Sequence, residues 1–443
     1  MNRFSVLLTA LLLAANGEAA AEAPGADDVS AGALVWARRL PPEAGRPRDV
    51  STARLTSEER TDLIVLAGDR NRPMTLLALR GRDGTELWRR RLDARAAAVP
   101  ARRGPGPLDA VVAASGDTLL ALDGLTGKVL ARTSLPGTVG ELAVGDVTGD
   151  GRDEIVCTSG GAYDDALVCR RSDDLSELWR VSCPEPRGRF DDGFRMPSVL
   201  SDTGQGPRVF VRQHRTRLVA LGSSGDIVWS TVLGDKSGMV PTGTAVTCPA
   251  AVDADGAGHD DLVVGTLDGT LLLLDRDSGA ALASRVFGGT EHRRIAQRRR
   301  LPRALKRLLM ESGEPASGYA ALDLDPAPGE ELVFTTADGE THAYSVRTDS
   351  LLWRMKVLGN VEYAPLPATT ADGRRCLVVA TTERIYYLDA ATGGELDAAG
   401  PVDGCSRLLL GRFAAGAHVQ AVLLDSNEGV LSVVGTSLIP VAP

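Results

Sequence analysis

Oxygen-bearing side chains recur at alternating positions in residues 146–154, which read DVTGDGRDE. Calcium takes about six to eight oxygen ligands in flexible geometry, and glycines let a short loop wrap around the ion. The pattern therefore predicts one Ca²⁺ that pins the loop, with the ligands Asp146, Thr148, Asp150, Arg152 (through its backbone carbonyl) and Glu154. The alternative is a solvated turn without metal. Under either interpretation the loop is structural rather than reactive.

Two later stretches repeat this pattern in weaker form. Residues 253–262 read DADGAGHDDL, with Ala257 in place of the central acid, and residues 323–332 read DLDPAPGEEL, which also lack it. Because a carboxylate ligand is lost in each, we expect these two loops to bind calcium weakly or not at all. Their recurrence indicates that the chain is built from repeats.

A basic segment interrupts a chain whose formal net charge is −9. It carries eight Arg or Lys side chains: Arg293, Arg294, Arg298, Arg299, Arg300, Arg303, Lys306 and Arg307. Such a cluster can dock to an acidic protein, an anionic glycan or a phospholipid surface. We therefore treat it as a candidate partner surface.

The same stretch is predicted to be a partly helical insertion over residues 288–317. A short helix is expected from Ala304, because Leu305, Leu308 and Leu309 share one helical face. The alternative to a docking role is a solvated insertion whose leucines cover the rim of the fold.

Motifs for catalysis are missing from the sequence. The five histidines are scattered without a metal-binding spacing such as HExxH: His214, His259, His292, His342 and His418. The sequence has neither a GxSxG nucleophile motif nor a Gly-rich phosphate loop. We therefore expect no catalytic residues, and a binding or scaffold protein that engages a protein or glycan partner through its loop face. The alternative is an active site assembled at the centre of the fold from distant parts of the chain.

Short strands in a repeated unit would position these loops. All five tryptophans lie in similar apolar runs, most of them preceded by a turn such as Asp-Gly: Trp36, Trp88, Trp179, Trp229 and Trp353. Three further copies have lost the tryptophan, at Ala131, Ala283 and Asp397. Each unit reads as four strands in about 45 residues, which is the size of a propeller blade.

These eight marks predict an all-β fold, a single β-propeller of about eight four-stranded blades over residues 30–443; seven blades is the alternative count. The run around Trp36 has no strands before it, and the last repeat lacks room for a fourth strand. We therefore expect the N-terminal strand to complete the last blade, because closure removes free sheet edges. The tryptophan rings are predicted to pack between neighbouring blades rather than against a ligand.

Residues 1–21 are predicted to be a secretory signal peptide. Arg3 is followed by an apolar run over residues 4–15 and by a small-residue cleavage site at residues 19–21. That run is too short to cross a membrane, and no longer one follows. We expect a monomer that is secreted or periplasmic, without a transmembrane segment. Its acidic charge argues against nucleic acid as a partner.

Six cysteines would then meet an oxidising compartment: Cys157, Cys169, Cys183, Cys248, Cys376 and Cys405. Cys157 and Cys169 lie in adjacent apolar runs, so a disulfide across a hairpin is one candidate pairing. Cys376 with Cys405 is a second candidate. Buried thiols are the alternative.

Residues 121–127 read ALDGLTG, and residues 387–393 read YLDAATG. Both resemble the repeat of pyrroloquinoline-quinone-type, or quinoprotein-like, β-propellers, and the resemblance covers most of residues 30–440. It implies the propeller fold. That family includes quinoprotein dehydrogenases and a non-enzymatic outer-membrane assembly scaffold. Because this chain lacks the adjacent cysteine pair of the quinone enzymes, we expect it not to bind pyrroloquinoline quinone.

A quinone-dependent dehydrogenase or a polysaccharide-cleaving enzyme on the same ring is the alternative function. A second, local resemblance concerns residues 146–155, which are similar to the calcium loop of integrin-like FG-GAP and VCBS repeats. This resemblance also implies Ca²⁺ at that loop.

Overall fold

Antiparallel sheets of four strands recur eight times along the chain in a computed structural model of the protein. The structure describes residues 34–57, 60–69, 71–102, 108–160, 166–183, 193–200, 206–214, 216–233, 249–266, 270–286, 319–325, 327–336, 339–359, 361, 364–370, 372–381, 383–399, 405–413, 420–425, 430–435 and 438–439. The sheets are the blades of a β-propeller, numbered here 1 to 8 in chain order. The predicted fold class is confirmed, with eight blades rather than seven.

Blades 1 to 4 each use four consecutive strands: β2 (Pro47–Ala53), β3 (Asp62–Ala67), β4 (Met74–Leu79), β5 (Glu86–Leu92); β6 (Ala97–Arg102), β7 (Asp109–Ser115), β8 (Thr118–Leu122), β9 (Val129–Ser134); β10 (Val139–Gly145), β11 (Glu154–Ser159), β12 (Ala166–Arg171), β13 (Glu177–Ser182); β14 (Phe194–Leu200), β15 (Arg208–Gln213), β16 (Arg217–Leu221), β17 (Ile227–Val232).

Blades 5 to 8 follow the same order, except that the outer strand of blade 8 comes from the N-terminal part of the chain: β18 (Ala250–Val252), β19 (Asp261–Gly265), β20 (Thr270–Leu274), β21 (Ala281–Val286); β22 (Ala320–Leu322), β23 (Glu331–Thr335), β24 (Glu340–Ser345), β25 (Ser350–Lys356); β26 (Leu366–Thr370), β27 (Arg375–Ala380), β28 (Ile385–Asp389), β29 (Glu395–Ala399); β30 (Cys405–Gly411), β31 (Gln420–Asp425), β32 (Val430–Gly435), β1 (Leu34–Arg39).

Ring closure follows the sequence prediction. β1 pairs antiparallel with β32, with Leu34 opposite Val434 and Arg39 opposite Val430. A 3-10 turn, Pro42–Ala44, then leads into blade 1. One pairing was not predicted: β33 (Leu438–Ile439) adds a fifth strand to blade 7 by pairing with β26.

The core lies between the blades. The second strands β3, β7 and β11 are almost entirely buried, because both of their faces pack against neighbouring sheets. In β11, Ile155 and Cys157 pack toward blade 2, whereas Val156 packs toward blade 4. Eight such interfaces replace one central core, so the stability of the ring depends on how each blade fits the next.

This alternation excludes the hairpin disulfide. Cys157 lies opposite Val168 and Cys169 opposite Val156, so the two sulfurs point to opposite faces of the sheet. Cys157, Cys169 and Cys376 are buried thiols. Burial raises the pKa of Cys157 to about 12 and that of Cys376 to about 11. The side chains of Cys248 and Cys405 lie outside the described residues, so the second candidate pairing stays a prediction.

Each tryptophan joins one blade to the next, as predicted. Trp229 of blade 4 donates from Nε1 to the carbonyl of Arg276 in blade 5, over 2.7 Å. Its ring lies against Gly279, whose φ of 68° a residue with a Cβ rarely adopts. The same arrangement recurs at Trp36–Gly84, Trp88–Gly127, Trp179–Gly225 and Trp353–Gly393. The Gly of the repeated turn is therefore required by the tryptophan of the preceding blade.

Two interfaces without tryptophan have also lost this glycine. Ala131 of blade 2 faces a turn in blade 3 where Leu175 takes the left-handed position, with φ of 60°. The Leu175 side chain is buried in the same apolar cluster as Ala131. At the blade 5–6 interface, Asp349 has φ of 50° and accepts a hydrogen bond from Arg285 of blade 5. A leucine or an ion pair thus occupies the interface that a tryptophan fills elsewhere.

Candidate functional site

The loop predicted to bind calcium connects β10 to β11 in blade 3. The carboxylate of Asp146 accepts hydrogen bonds from the backbone amides of Gly149 at 2.6 Å, Asp150 at 3.1 Å and Gly151 at 2.8 Å. Asp150 accepts one from the amide of Arg152 at 2.9 Å. These carboxylates are therefore turned toward the loop's own backbone.

Glu154 closes the same loop from its other side. It is buried, and its Oε2 accepts hydrogen bonds from the amides of Val147 at 2.9 Å and Thr148 at 3.0 Å. Burial raises the pKa of Glu154, the two amide hydrogen bonds oppose that shift, and the charges of Asp150 and Asp146 add to it. Glu154 thus serves as an internal cap of the loop.

The weakened loop of blade 5 has the same shape. Asp253 accepts hydrogen bonds from the amides of Gly256 at 2.9 Å and Gly258 at 3.0 Å. These amides stand three and five residues further on, as Gly149 and Gly151 do from Asp146. The loop geometry therefore forms without the central acid. Asp150 is dispensable for the shape of its loop and is available as a specific probe for a cation.

Within the described part of the chain, no three His, Cys, Asp or Glu side chains converge in a way that could hold a metal ion. The five predicted ligands belong to one loop, but their arrangement is not a ready-made calcium cage. Arg152 itself is exposed and points its guanidinium toward Asp173, at 3.4 Å. For calcium to bind, Asp146 has to exchange amide donors for the ion.

Calcium at this loop stays a prediction, with a direct test. Because a ligand of the folded state raises the melting temperature, adding Ca²⁺ to chelator-treated protein is expected to raise it if the loop binds the ion. Asp150→Ala should abolish that rise and leave the melting temperature without calcium unchanged. Differential scanning calorimetry measures both. An unchanged melting temperature on adding Ca²⁺ to the wild type overturns the prediction.

The acid before Glu154 has a role that the calcium pattern did not indicate. Asp153 accepts a hydrogen bond from the backbone amide of Arg102 in blade 2 at 2.7 Å, and pairs with its guanidinium at 3.1 Å. Asp109 repeats this contact with Arg54 of blade 1. Such acids bind each blade to the one before it. The sequence signal for them was the acidic residue at the start of each second strand.

The basic segment lies outside the described residues, as do its eight Arg and Lys side chains and the predicted helix. The described strands on either side are β21 and β22. They show that residues 287–319 join the outer strand of blade 5 to the inner strand of blade 6. The predicted signal peptide, residues 1–21, also lies outside the described residues. In the described part of the chain, no helix is long and apolar enough to cross a bilayer.

The outer strands of the blades differ in a way that the sequence analysis missed. Two residues before the tryptophan, or before its replacement, blades 1, 3 and 7 carry Glu86, Glu177 and Glu395. Glu86 pairs with Arg38 of the neighbouring blade at 3.1 Å. Charged residues on an edge strand prevent it from pairing with other chains.

Blades 4 and 6 have aliphatic residues at this position. Ile227 is 57% exposed and Leu351 is 41% exposed. Their apolar neighbours on the outer strands of blades 4 to 6 are exposed as well, and together these residues form what we call the apolar edge: Ile227, Val228, Val232, Leu282, Leu351 and Leu352. Exposed basic residues, Arg354 and Lys356, follow on β25.

The eight blades, their tryptophan-to-glycine contacts and the repeated Asp-x-x-Thr-Gly turns define a pyrroloquinoline-quinone-type β-propeller. The family model for the outer membrane protein assembly factor BamB matches residues 26–181 and 267–396, and this chain belongs to that family. No curated protein sequence matches it.

Three solved structures share the fold at low sequence identity. BamB from Moraxella catarrhalis is 15% identical, with a TM-score of 0.54 over 90% of this chain and 98% of its own. Sqt1 from Saccharomyces cerevisiae is 10% identical, with a TM-score of 0.62 over 89% and 99%. The quinohemoprotein alcohol dehydrogenase from Comamonas testosteroni is 14% identical, with a TM-score of 0.60 over 93% and 77%. The fold is thus common to scaffold-type and enzymatic propellers.

The residues present do not fit a quinone cofactor. All five tryptophan rings are inserted between blades, and each indole N–H is bonded to a backbone carbonyl. None of them is available as a flat surface on which a quinone could stack. The sequence also lacks adjacent cysteines. We therefore derive no chemistry through such a cofactor.

Proposed function

We propose that this protein is a non-enzymatic binding propeller of the cell envelope that holds a partner protein during the assembly of outer membrane proteins. The description of its family supports this setting. The predicted signal peptide supports a periplasmic or secreted location. The observation that carries the binding role is the apolar edge of blades 4 to 6.

Exposed aliphatic residues on an edge strand invite association. The outer strand of a blade leaves one row of backbone N–H and C=O groups without partners in its sheet. Where Glu86 and Glu177 protect that row with charge, Ile227 and Leu351 leave it apolar. A partner segment can pair with the backbone row and cover the aliphatic side chains. Arg354 and Lys356 favour a segment whose apolar residues stand next to acidic ones.

A second candidate surface is the basic segment on the loop face of the ring. Its support is the concentration of eight basic residues on a chain of net charge −9. It would engage an acidic protein or an anionic glycan by electrostatic attraction. The two surfaces predict different sensitivities, because binding through the basic segment weakens with salt and binding through the apolar edge does not.

The double variant Ile227→Glu/Leu351→Glu tests the apolar edge. It gives blades 4 and 6 the glutamate that blades 1, 3 and 7 already carry at this position, so the fold should tolerate it. We expect recovery of the partner protein to fall at least about tenfold, corresponding to about 1.4 kcal/mol of binding free energy. The measurement is cross-linking of tagged protein in the cell envelope, followed by quantitative mass spectrometry of co-purified proteins.

The matched control is Leu125→Glu/Leu130→Glu in blade 2, which changes two equally exposed leucines outside blades 4 to 6. It should retain the partner. Equal recovery in both variants, or equal loss, overturns the assignment to the apolar edge. Loss of the partner at high salt in the wild type would favour the basic segment instead.

A further inference from the structure

Cys183 and His214 form a close pair where blade 3 meets blade 4. Cys183 directly follows β13, and His214 lies in the turn between β15 and β16. Cys183 Sγ lies 3.5 Å from His214 Nε2. The amide nitrogen of Gln213 donates to the same sulfur from 3.7 Å. Neither the apolar edge nor the loops of the ring use this group.

The fold holds these nitrogen groups at the sulfur. His214 has φ of 48°, a left-handed conformation that is uncommon for residues other than glycine. The turn is fixed by two backbone hydrogen bonds, from His214 N to Gly193 O at 3.0 Å and from Thr216 N to His214 O at 2.8 Å. The Gln213 side chain is only 8% exposed. The arrangement is therefore part of the blade 3–4 junction rather than a chance contact of mobile surface side chains.

These contacts favour the reactive form of the sulfur. The thiolate is the nucleophilic form of cysteine, and hydrogen-bond donors at the sulfur stabilise it. The amide nitrogen of Gln213 can only donate, and His214 Nε2 can take up the thiol proton. The environments of Cys157, Cys169 and Cys376 are the opposite, because they are buried among apolar side chains and burial raises the pKa of each thiol. Cys183 is half-buried, within reach of a small reagent.

We propose that Cys183 is a nucleophilic thiol that is modified by low-molecular-weight disulfides, with His214 as its base. The sulfur attacks one sulfur of R–S–S–R, a new S–S bond forms, and the old one breaks. The leaving R–S⁻ takes the proton that Cys183 gave up. Cys183 is oxidised to a mixed disulfide and half of the reagent is reduced to a thiol, so the disulfide is the oxidant.

The test uses an aromatic disulfide, 5,5′-dithiobis(2-nitrobenzoate), on the full-length protein, with the labelled cysteines identified by peptide mass spectrometry. We expect Cys183 to react at least about tenfold faster in the folded protein than in urea at the same pH. Cys157, Cys169 and Cys376 should react only after unfolding, because they are buried.

His214→Asn should slow the labelling of Cys183 about tenfold, because the base is lost. Asparagine tolerates the left-handed backbone, so the melting temperature should be retained. His259→Asn, which changes an exposed histidine in blade 5, is the control and should not alter the rate. Three results overturn the proposal: labelling of Cys183 no faster than in urea, an unchanged rate in His214→Asn, or a purified protein in which Cys183 is already in an intramolecular disulfide.

Discussion

Replacing Asp62 with alanine is expected to lower the free energy of unfolding by about 3–5 kcal/mol. The carboxylate is 1% exposed and joins three separate parts of the chain. It accepts hydrogen bonds from the amides of Leu55 at 3.0 Å, Thr56 at 2.7 Å and Gly81 at 2.9 Å. Alanine leaves these amides without an acceptor, and a buried donor without a partner costs about 1–3 kcal/mol.

The control for this prediction is Asp69→Ala in an exposed turn of the same blade. Asp69 accepts a hydrogen bond from the amide of Asn71 at 3.0 Å, and water can replace it there. We expect a loss below about 1 kcal/mol. Urea unfolding followed by tryptophan fluorescence measures both, since the five indoles report on the interfaces between blades. Similar losses in the two variants would show that the buried position of Asp62 carries no special weight.

Replacing Gly279 with alanine is the second large effect, of about 2–5 kcal/mol. Its φ of 68° already costs a residue with a Cβ about 1–2 kcal/mol. The added carbon would lie 2.5 Å from both the ring of Trp229 and the hydroxyl oxygen of Thr231. Both neighbours are hydrogen-bonded to blade 5 carbonyls, at 2.7 Å and 2.6 Å, so neither moves away without loss. Crowding should therefore add about 1–3 kcal/mol.

Gly258→Ala separates the two contributions. Gly258 has φ of 78°, and a carbon added there would meet no atom within 4 Å. Only the backbone cost, about 1–2 kcal/mol, is expected. The difference between the two midpoints of urea unfolding therefore measures the contact between blades. If Gly279→Ala is no worse than Gly258→Ala, the tryptophan contacts do not hold neighbouring blades together.

The architecture could be predicted because it is repetitive and local. Apolar runs separated by turn residues specify strands and hairpins over short distances, and eight copies reinforce a weak signal. The N-terminal strand was assigned to the last blade by counting alone, since Trp36 had no strands before it and residues 400–443 had one too few. The loss of tryptophan at Ala131 and Ala283 was also visible. Its compensation by Leu175 and by Arg285 with Asp349 was not, because it depends on which turn faces which strand.

Side-chain direction was harder to predict. The acids of residues 146–154 have the spacing of calcium ligands, yet Asp146 and Glu154 bind backbone amides and Asp153 reaches the preceding blade. Spacing along the chain does not specify whether a carboxylate turns inward or outward. The proposed Cys157–Cys169 disulfide was wrong for a related reason. A register offset of one residue places two cysteines of a hairpin on opposite faces.

The sequence by itself determined the strand count, the closure of the ring and the roles of the tryptophans, because these follow from local periodicity and from the number of repeats. Only the tertiary structure decided which exposed residues lie on an unprotected edge. It also decided which acids join blades, and which cysteine lies beside a histidine. Those properties arise from contacts between residues tens of positions apart. Their distances are set by the packing of whole blades, which no local pattern encodes.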